Sequence, residues 1–105
     1  MTSILYVIYK SPLINQPSSS VLEIAEQQLS EGVEVGVLLV ADAVVAAVSR
    51  TVSSTLRRLR EKGASIYVLR EDLEARGLSQ EVADLVGYSE AIDLIERYEK
   101  VFTWS

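Results

Sequence analysis

The sequence predicts an α/β fold: a three-layer α/β/α sandwich around a mainly parallel sheet of about five short strands. Three observations lead there. Two nearly continuous apolar runs of strand length, residues 3–9 (SILYVIY) and 33–40 (VEVGVLLV), fit strands covered on both faces. Segments with helical spacing alternate with the strands, the mark of βαβ units joined by right-handed crossovers. The 105 residues contain no repeat, linker or low-complexity tract, which predicts a single domain, residues 1–105, with one modest core.

Each element has its own signal. After the first strand, Lys10 to Ser19 reads as a loop from its Pro, Asn and Ser content. Ser20 and Glu23 have the spacing of a capping box and place a helix start there. Val21, Leu22, Ile24, Ala25 and Leu29 share one face of that helix, and Gly32 ends it. The second strand is β-branched and central. Asp42 caps a short helix through Val48, apolar on almost every side and therefore buried or lining a subunit contact. Residues 49–55, with several Ser and Thr, either break that helix or continue it. Leu56 and Leu59 lie on one face of a basic helix that ends at Gly63. Ser79 to Val86 predicts a helical turn leading into a short strand within Leu85 to Tyr88. Ser89 caps a helix to Tyr98 with Ala91, Ile92, Leu94 and Ile95 inward. Val101 to Trp104 forms the last strand.

Composition excludes several classes of function. The formal net charge of −5 argues against broad nonspecific binding of nucleic acid. Cysteine and histidine are both absent, which removes disulfides, thiolate nucleophiles, imidazole bases and the usual zinc and haem ligands. The reading is of a non-enzyme with no catalytic residues, no cofactor and no metal. No apolar run approaches the ~20 residues that span a bilayer. The opening MTSILYVIYK lacks a basic lead and a small-residue cleavage site, which predicts a cytoplasmic chain. Apolar content of 49% is at the upper edge for a globular protein and suggests an extra apolar surface covered by a partner.

The stretch from Ser65 to Leu78, SIYVLREDLEARGL, organises the chain. Ile66, Tyr67 and Val68 suit a strand. Glu71 and Asp72 stand in the first turn of a short helix, where exposed N–H groups favour negative charge. Asp72 and Arg76 are four apart in the favourable acid-before-base order, and Gly77 is the stop.

The run YVLREDLEARGL resembles the most recognisable segment of the DsrH/TusB family of sulfur-relay subunits. It carries a strand-ending Leu69, the acidic pair Glu71 and Asp72, then Leu73, Ala75, Arg76, Gly77 and Leu78. The closing YSEAIDLIERYEKVFTW is similar to the family's ending, with Tyr88, Ile92, Asp93, Leu94 and the terminal Trp104. Ser11-Pro12 matches a family Ser-Pro. Asp42 with Ala43, Val44, Ala46 and Ala47 resembles its Asp-Gly-Val-x-Ala-Ala element. The resemblance implies the DsrE/DsrF/DsrH-like fold, flavodoxin-like in outline. It implies a place in an assembly with cysteine-bearing DsrE/DsrF (TusD/TusC)-like subunits, as a hetero-oligomer or a homo-oligomer. It implies service to 2-thiolation of the tRNA wobble uridine or to dissimilatory sulfur oxidation, without direct contact to nucleic acid. Some members carry a cysteine near the start of the first helix; here that helix has none, so this chain cannot itself hold persulfide sulfur. The function expected is that of a non-catalytic structural subunit. The alternatives are a stand-alone anion- or nucleotide-binding flavodoxin-like module and a homo-oligomeric structural protein.

Each candidate site also has a plain structural reading. Ser11, Ser18, Ser19 and Ser20 lie in a loop at a helix N-terminus and suit an anion or an interface, or simply a polar loop ending in a cap. Arg50, Arg57, Arg58, Arg60 and Lys62 form a docking patch or a solvated helix face. Asp42 and Val44, with Phe102 and Trp104 in the apolar tail, are interface candidates, or the tail docks into its own core. Glu71, Asp72, Arg76 and Gly77 match the family motif and read as structural, by dipole and ion pair.

Overall fold

A computed structural model of the chain describes residues 2–10 and 16–104, and the side chains of all but 16–19 among them. Its elements run β1 (Ser3–Ile8), α1 (Gln16–Ser30), β2 (Glu34–Leu39), a 3₁₀ helix (Ala41–Ala47), α2 (Arg50–Glu61), β3 (Ser65–Leu69), α3 (Arg70–Ala75), β4 (Asp84–Val86), α4 (Tyr88–Arg97) and β5 (Lys100–Trp104). All strand pairs are parallel and the order is β4-β3-β2-β1-β5.

That order decides where the helices lie. From β1 to β4 the chain steps across the sheet in one direction, so right-handed crossovers put every connection on one face. From β4 it reverses and crosses to the far edge, which sends α4 alone to the other face. The two cores follow. On the first face Ile4, Tyr6 and Ile8 of β1 meet Val21, Leu22 and Ala25 of α1 and Val52, Leu56 and Leu59 of α2. On the second, Leu5, Val7, Leu38 and Leu69 meet Ala91, Leu94 and Tyr98. Alternate residues of each central strand feed opposite cores, so those strands read as unbroken apolar runs. Burying a leucine as fully as Leu56 or Leu59 contributes about 1.5–3 kcal/mol each.

The second layer is thin. Five strands about 4.8 Å apart span about 19 Å. One helix, about 10 Å across with its side chains, shields roughly half of that width. Among the described residues the other apolar side chains gathered on this face are strand and strand-end residues, Val40, Val86 and the partly buried Tyr67 and Val101.

Where α4 ends, its contact with the sheet is intimate. A Cβ on Gly36 of β2 would lie 2.7 Å from Tyr98 Cζ, nearer still to the hydroxyl, and 3.1 Å from Leu5 Cδ1. The missing side chain is the seat of the Tyr98 ring. Burial first, then its neighbour Tyr67, pushes the Tyr98 phenol from its ordinary 10.0 up to about 12, against a hydrogen bond to Ser65 that acts the other way.

Boundaries differ from the sequence expectation at four places. Helix α1 begins at Gln16, so Ser20 lies inside it and not at its cap. Pro17 falls in the first turn, where its missing N–H costs nothing. The short helix after β2 is a 3₁₀ helix, and Ser49 caps α2 by accepting from the Val52 N–H at 3.3 Å. Residues 81–83 are a bend and not a helical turn; Gln80 Oε1 accepts from the Ala83 N–H at 2.7 Å and competes with helix formation. Helix α4 starts at Tyr88, one residue before the predicted cap Ser89, because Glu90 Oε1 accepts from the Gly87 N–H at 3.0 Å.

Gly36→Ala is expected to cost about 1–3 kcal/mol in urea unfolding, because the new methyl displaces Tyr98. Tyr98 also sets an alkaline limit. With the folded pKa raised, the unfolded chain loses its proton first, so this stabilisation is complete below pH 10 and is lost as pH rises toward 12. Tyr98→Phe should flatten the stability curve in that window, measured by denaturant titration at successive pH values.

Candidate functional site

In open α/β sheets the usable crevice lies beyond the carboxyl ends of the strands. Here β1 ends into Tyr9 and Lys10, β2 into Val40 and Ala41, β3 into Arg70, Glu71 and Asp72, and β4 into Gly87 and Tyr88. These ends converge beside α4 on a groove of about 310 Å³. Its apolar wall comes from Val7, Leu38, Leu69 and Ala91, its mouth from Tyr9 and Tyr88, and its polar corner from Asp72.

The groove corner is held by acids. Ala41 has φ 51, a left-handed backbone that a Cβ disfavours, and among the described non-glycine residues it alone does. Its N–H donates to Asp72 Oδ2 at 2.6 Å, a charge-assisted bond that ties the start of the 3₁₀ helix to α3. Arg76 completes the clamp. Its Nη2 donates to Asp42 Oδ1 at 2.9 Å and its Nη1 to the Asp72 carbonyl at 3.0 Å. The expected Asp72–Arg76 carboxylate pair is therefore not formed: the Asp72 carboxylate turns to a backbone N–H and Arg76 reaches Asp42 instead. Gly77, with φ 64, ends the turn after α3 as expected. Glu71 Oε2 lies 3.8 Å from Arg70 Nη2. Its other oxygen is buried and, among the described residues, without a hydrogen-bond partner.

Other expected sites fall elsewhere. Val44 is fully buried in the first core, because the 3₁₀ helix packs under α2, and so offers no contact surface. Asp42 is exposed but engaged by Arg76. Phe102 is exposed and stacks on Tyr6 with ring centroids 5.9 Å apart; Trp104 is half-buried against the first core. Ser11 lies outside the described residues, Ser18 and Ser19 fall within α1, and Ser20 is an exposed residue of that helix. The basic face of α2 is largely spoken for. Arg58 Nε donates to Glu26 Oε2 at 2.9 Å and holds that carboxyl below its usual range. Lys62 reaches Glu26 at 3.5 Å, and Arg60 donates to the Val82 carbonyl at 2.7 Å and lies 3.2 Å from Asp84.

The sequence reading missed Tyr9, Ala41, Tyr88, Ile92 and Ile95. Ile92 and Ile95, expected inward, are exposed, because α4 buries the stripe of Ala91 and Leu94 instead. A signal was present: Tyr88, Ile92 and Ile95 repeat at i, i+4 and i+7, a second apolar stripe beside the first.

Parallel strands with an unequal helix cover and a thiol-free apolar crevice define a small α/β protein suited to contact. Comparison with known proteins gives the family and the fold. A family model described as DsrH like protein matches residues 10–101, and the chain belongs to the DsrH family. Protein TusB of Yersinia pestis is 37% identical over 71 residues, 65% of this chain and 73% of the relative, and Protein TusB of Yersinia pseudotuberculosis matches to the same extent. The ychN protein of E. coli superposes with a TM-score of 0.89 at 17% identity, over 99% of this chain and 100% of that one. A protein of unknown function from Methanobacterium thermoautotrophicum, MTH1491, gives 0.79 at 14% identity, over 98% and 99%. These structures share the expected fold.

Two substitutions test the clamp. Asp72→Ala should lower stability by about 1.5–3 kcal/mol, the usual cost of a lost charge-assisted bond. Ala41→Gly should raise it by up to about 1.5 kcal/mol, since relief of about 1–2 kcal/mol of left-handed strain is set against about 0.5–1 kcal/mol of added chain entropy. Urea unfolding with an unchanged m value is the measurement; a loss on Ala41→Gly would contradict the strain.

Proposed function

We propose that this chain is a non-catalytic subunit of a sulfur-relay assembly, in which cysteine-bearing DsrE/DsrF-like subunits carry the persulfide and this chain supplies shape and contact. The observation that carries the reading is chemical: a member of the DsrH family with no cysteine has no atom that can hold or pass sulfane sulfur. Membership in the family supports the relay, and the open second face of the sheet supports the contact role. In such an assembly the sulfur goes to the wobble uridine of tRNA or to dissimilatory sulfur oxidation. The relay is placed in the cytoplasm as part of this proposal; among the described residues no helix is long and apolar enough to cross a membrane. The nucleotide-binding alternative rests on the Lys10–Ser20 stretch, of which residues 11–15 lie outside the described structure and 16–20 belong to α1, and it gains no support from an apolar crevice cornered by Asp72.

Co-expression with the DsrE- and DsrF-like subunits encoded in the same genome tests this. Light scattering on the purified material should give one assembly containing all three chains at fixed stoichiometry. Elution of this chain by itself, at every concentration tried, would contradict the proposal.

A further inference from the structure

The two edges of the sheet differ in how well they are guarded. At one edge β4 is three residues long, and its Asp84 is reached by Arg60 at 3.2 Å. Short, charged edges resist pairing with another chain. At the other edge β5 runs five residues, Lys100–Trp104, and pairs with β1 alone. The Trp104 carbonyl accepts from the Tyr9 N–H at 2.9 Å, so the backbone polar groups of Trp104 point toward β1. Successive residues of a strand turn these groups to opposite sides, which aims those of Val101 and Thr103 outward. Among the described residues the outward groups have no hydrogen-bond partner. Neither face covers the edge: Phe102, stacked on Tyr6, is 47% exposed on one side of the sheet, and Thr103 is exposed on the other.

The sequence of β5 selects what pairs there. A two-fold axis normal to the sheet sets two equal strands antiparallel, so that one patch meets itself. With the axis at Phe102, all five residues of the strand find a partner. Val101 lies opposite Thr103 of the second copy, and because both turn their polar groups outward, each N–H meets a carbonyl. Phe102 meets its own counterpart in the closer, non-hydrogen-bonded pairing, where an aromatic pair is stabilising and covers the exposed ring. Lys100 is the one charged residue of the strand. It falls opposite Trp104 of the second copy and not opposite itself, so no like charges meet and the ammonium lies near an indole ring.

We propose that β5 is the edge through which two copies of this chain join, antiparallel about Phe102, into one continuous sheet. The paired edge is about 17 Å long, short beside a standard interface, so the dimer forms as concentration rises and is not permanent. The inference goes beyond the relay reading and does not depend on it.

Sedimentation of the isolated chain over a rising series of concentrations tests this. The chain should pass from monomer to dimer. Thr103→Pro deletes an outward N–H and spares the ladder to β1, a place where an edge strand tolerates proline. It should weaken the dimer about tenfold, since the symmetry removes that bond twice. Phe102→Lys and Phe102→Glu should each be monomeric, because like charges then face each other across the axis. Mixing those two variants should restore a dimer, and raised salt should weaken it. Arg57→Ala, on α2, should dimerise like the unaltered chain. Circular dichroism reports folding, and if Thr103→Pro unfolds, the Phe102 pair decides alone. A chain that stays monomeric at every concentration overturns the proposal, whether or not a strand of another protein occupies the edge. So does a dimer indifferent to these changes. A Phe102→Lys and Phe102→Glu mixture that stays monomeric overturns the register.

Discussion

One helix cannot cover five strands, and most of what is distinctive here follows from that mismatch of widths. A parallel sheet requires apolar cover on both faces, because its strands are apolar on both sides. The strand order sends three helices and a 3₁₀ helix to one face and leaves the other to a single ten-residue helix. The well-covered face is ordinary protein interior. The thinly covered face ends in a groove at the carboxyl edge, where the backbone already offers a crevice. An apolar residue fraction of 49% in so short a chain is the compositional trace of the same imbalance.

At the carboxyl edge, carboxylates tie neighbouring elements together. Asp72 sits where the dipole of a short helix favours an acid, and it uses that position to hold a neighbouring backbone N–H. Asp42 and Arg76 tie the same two elements together from the solvent side, where an exposed pair is worth less than about 1 kcal/mol. The part-buried bond therefore fixes the corner and the surface pair trims it.

Much of this was legible in the sequence. The apolar runs gave the buried strands, the alternation gave the parallel sheet, and the DsrH/TusB motif at Leu69–Leu78 pointed to the family to which the chain belongs. The site was harder to read. An acid and a base four residues apart satisfy the rule for a helix pair, yet α3 ends at Ala75, so Arg76 is free to reach Asp42. Val44 could not be separated from an interface residue, because a helix that is apolar all round looks the same under either cover. Ile92 and Ile95 read as core because one helix carried two apolar stripes, and only packing decides which of them faces the sheet. The strain at Ala41 leaves no mark in a sequence, since alanine there is compatible with any helix start.

The central claim is that the second face of the sheet is completed by a partner. Hydrogen–deuterium exchange of the α4 amides, compared in the isolated chain and in the proposed assembly with DsrE- and DsrF-like subunits, reads that face directly. The account predicts that protection across Tyr88–Arg97 rises on assembly while α2, on the opposite layer, stays as it was. Unchanged exchange in α4 alongside new protection confined to α2 would contradict it.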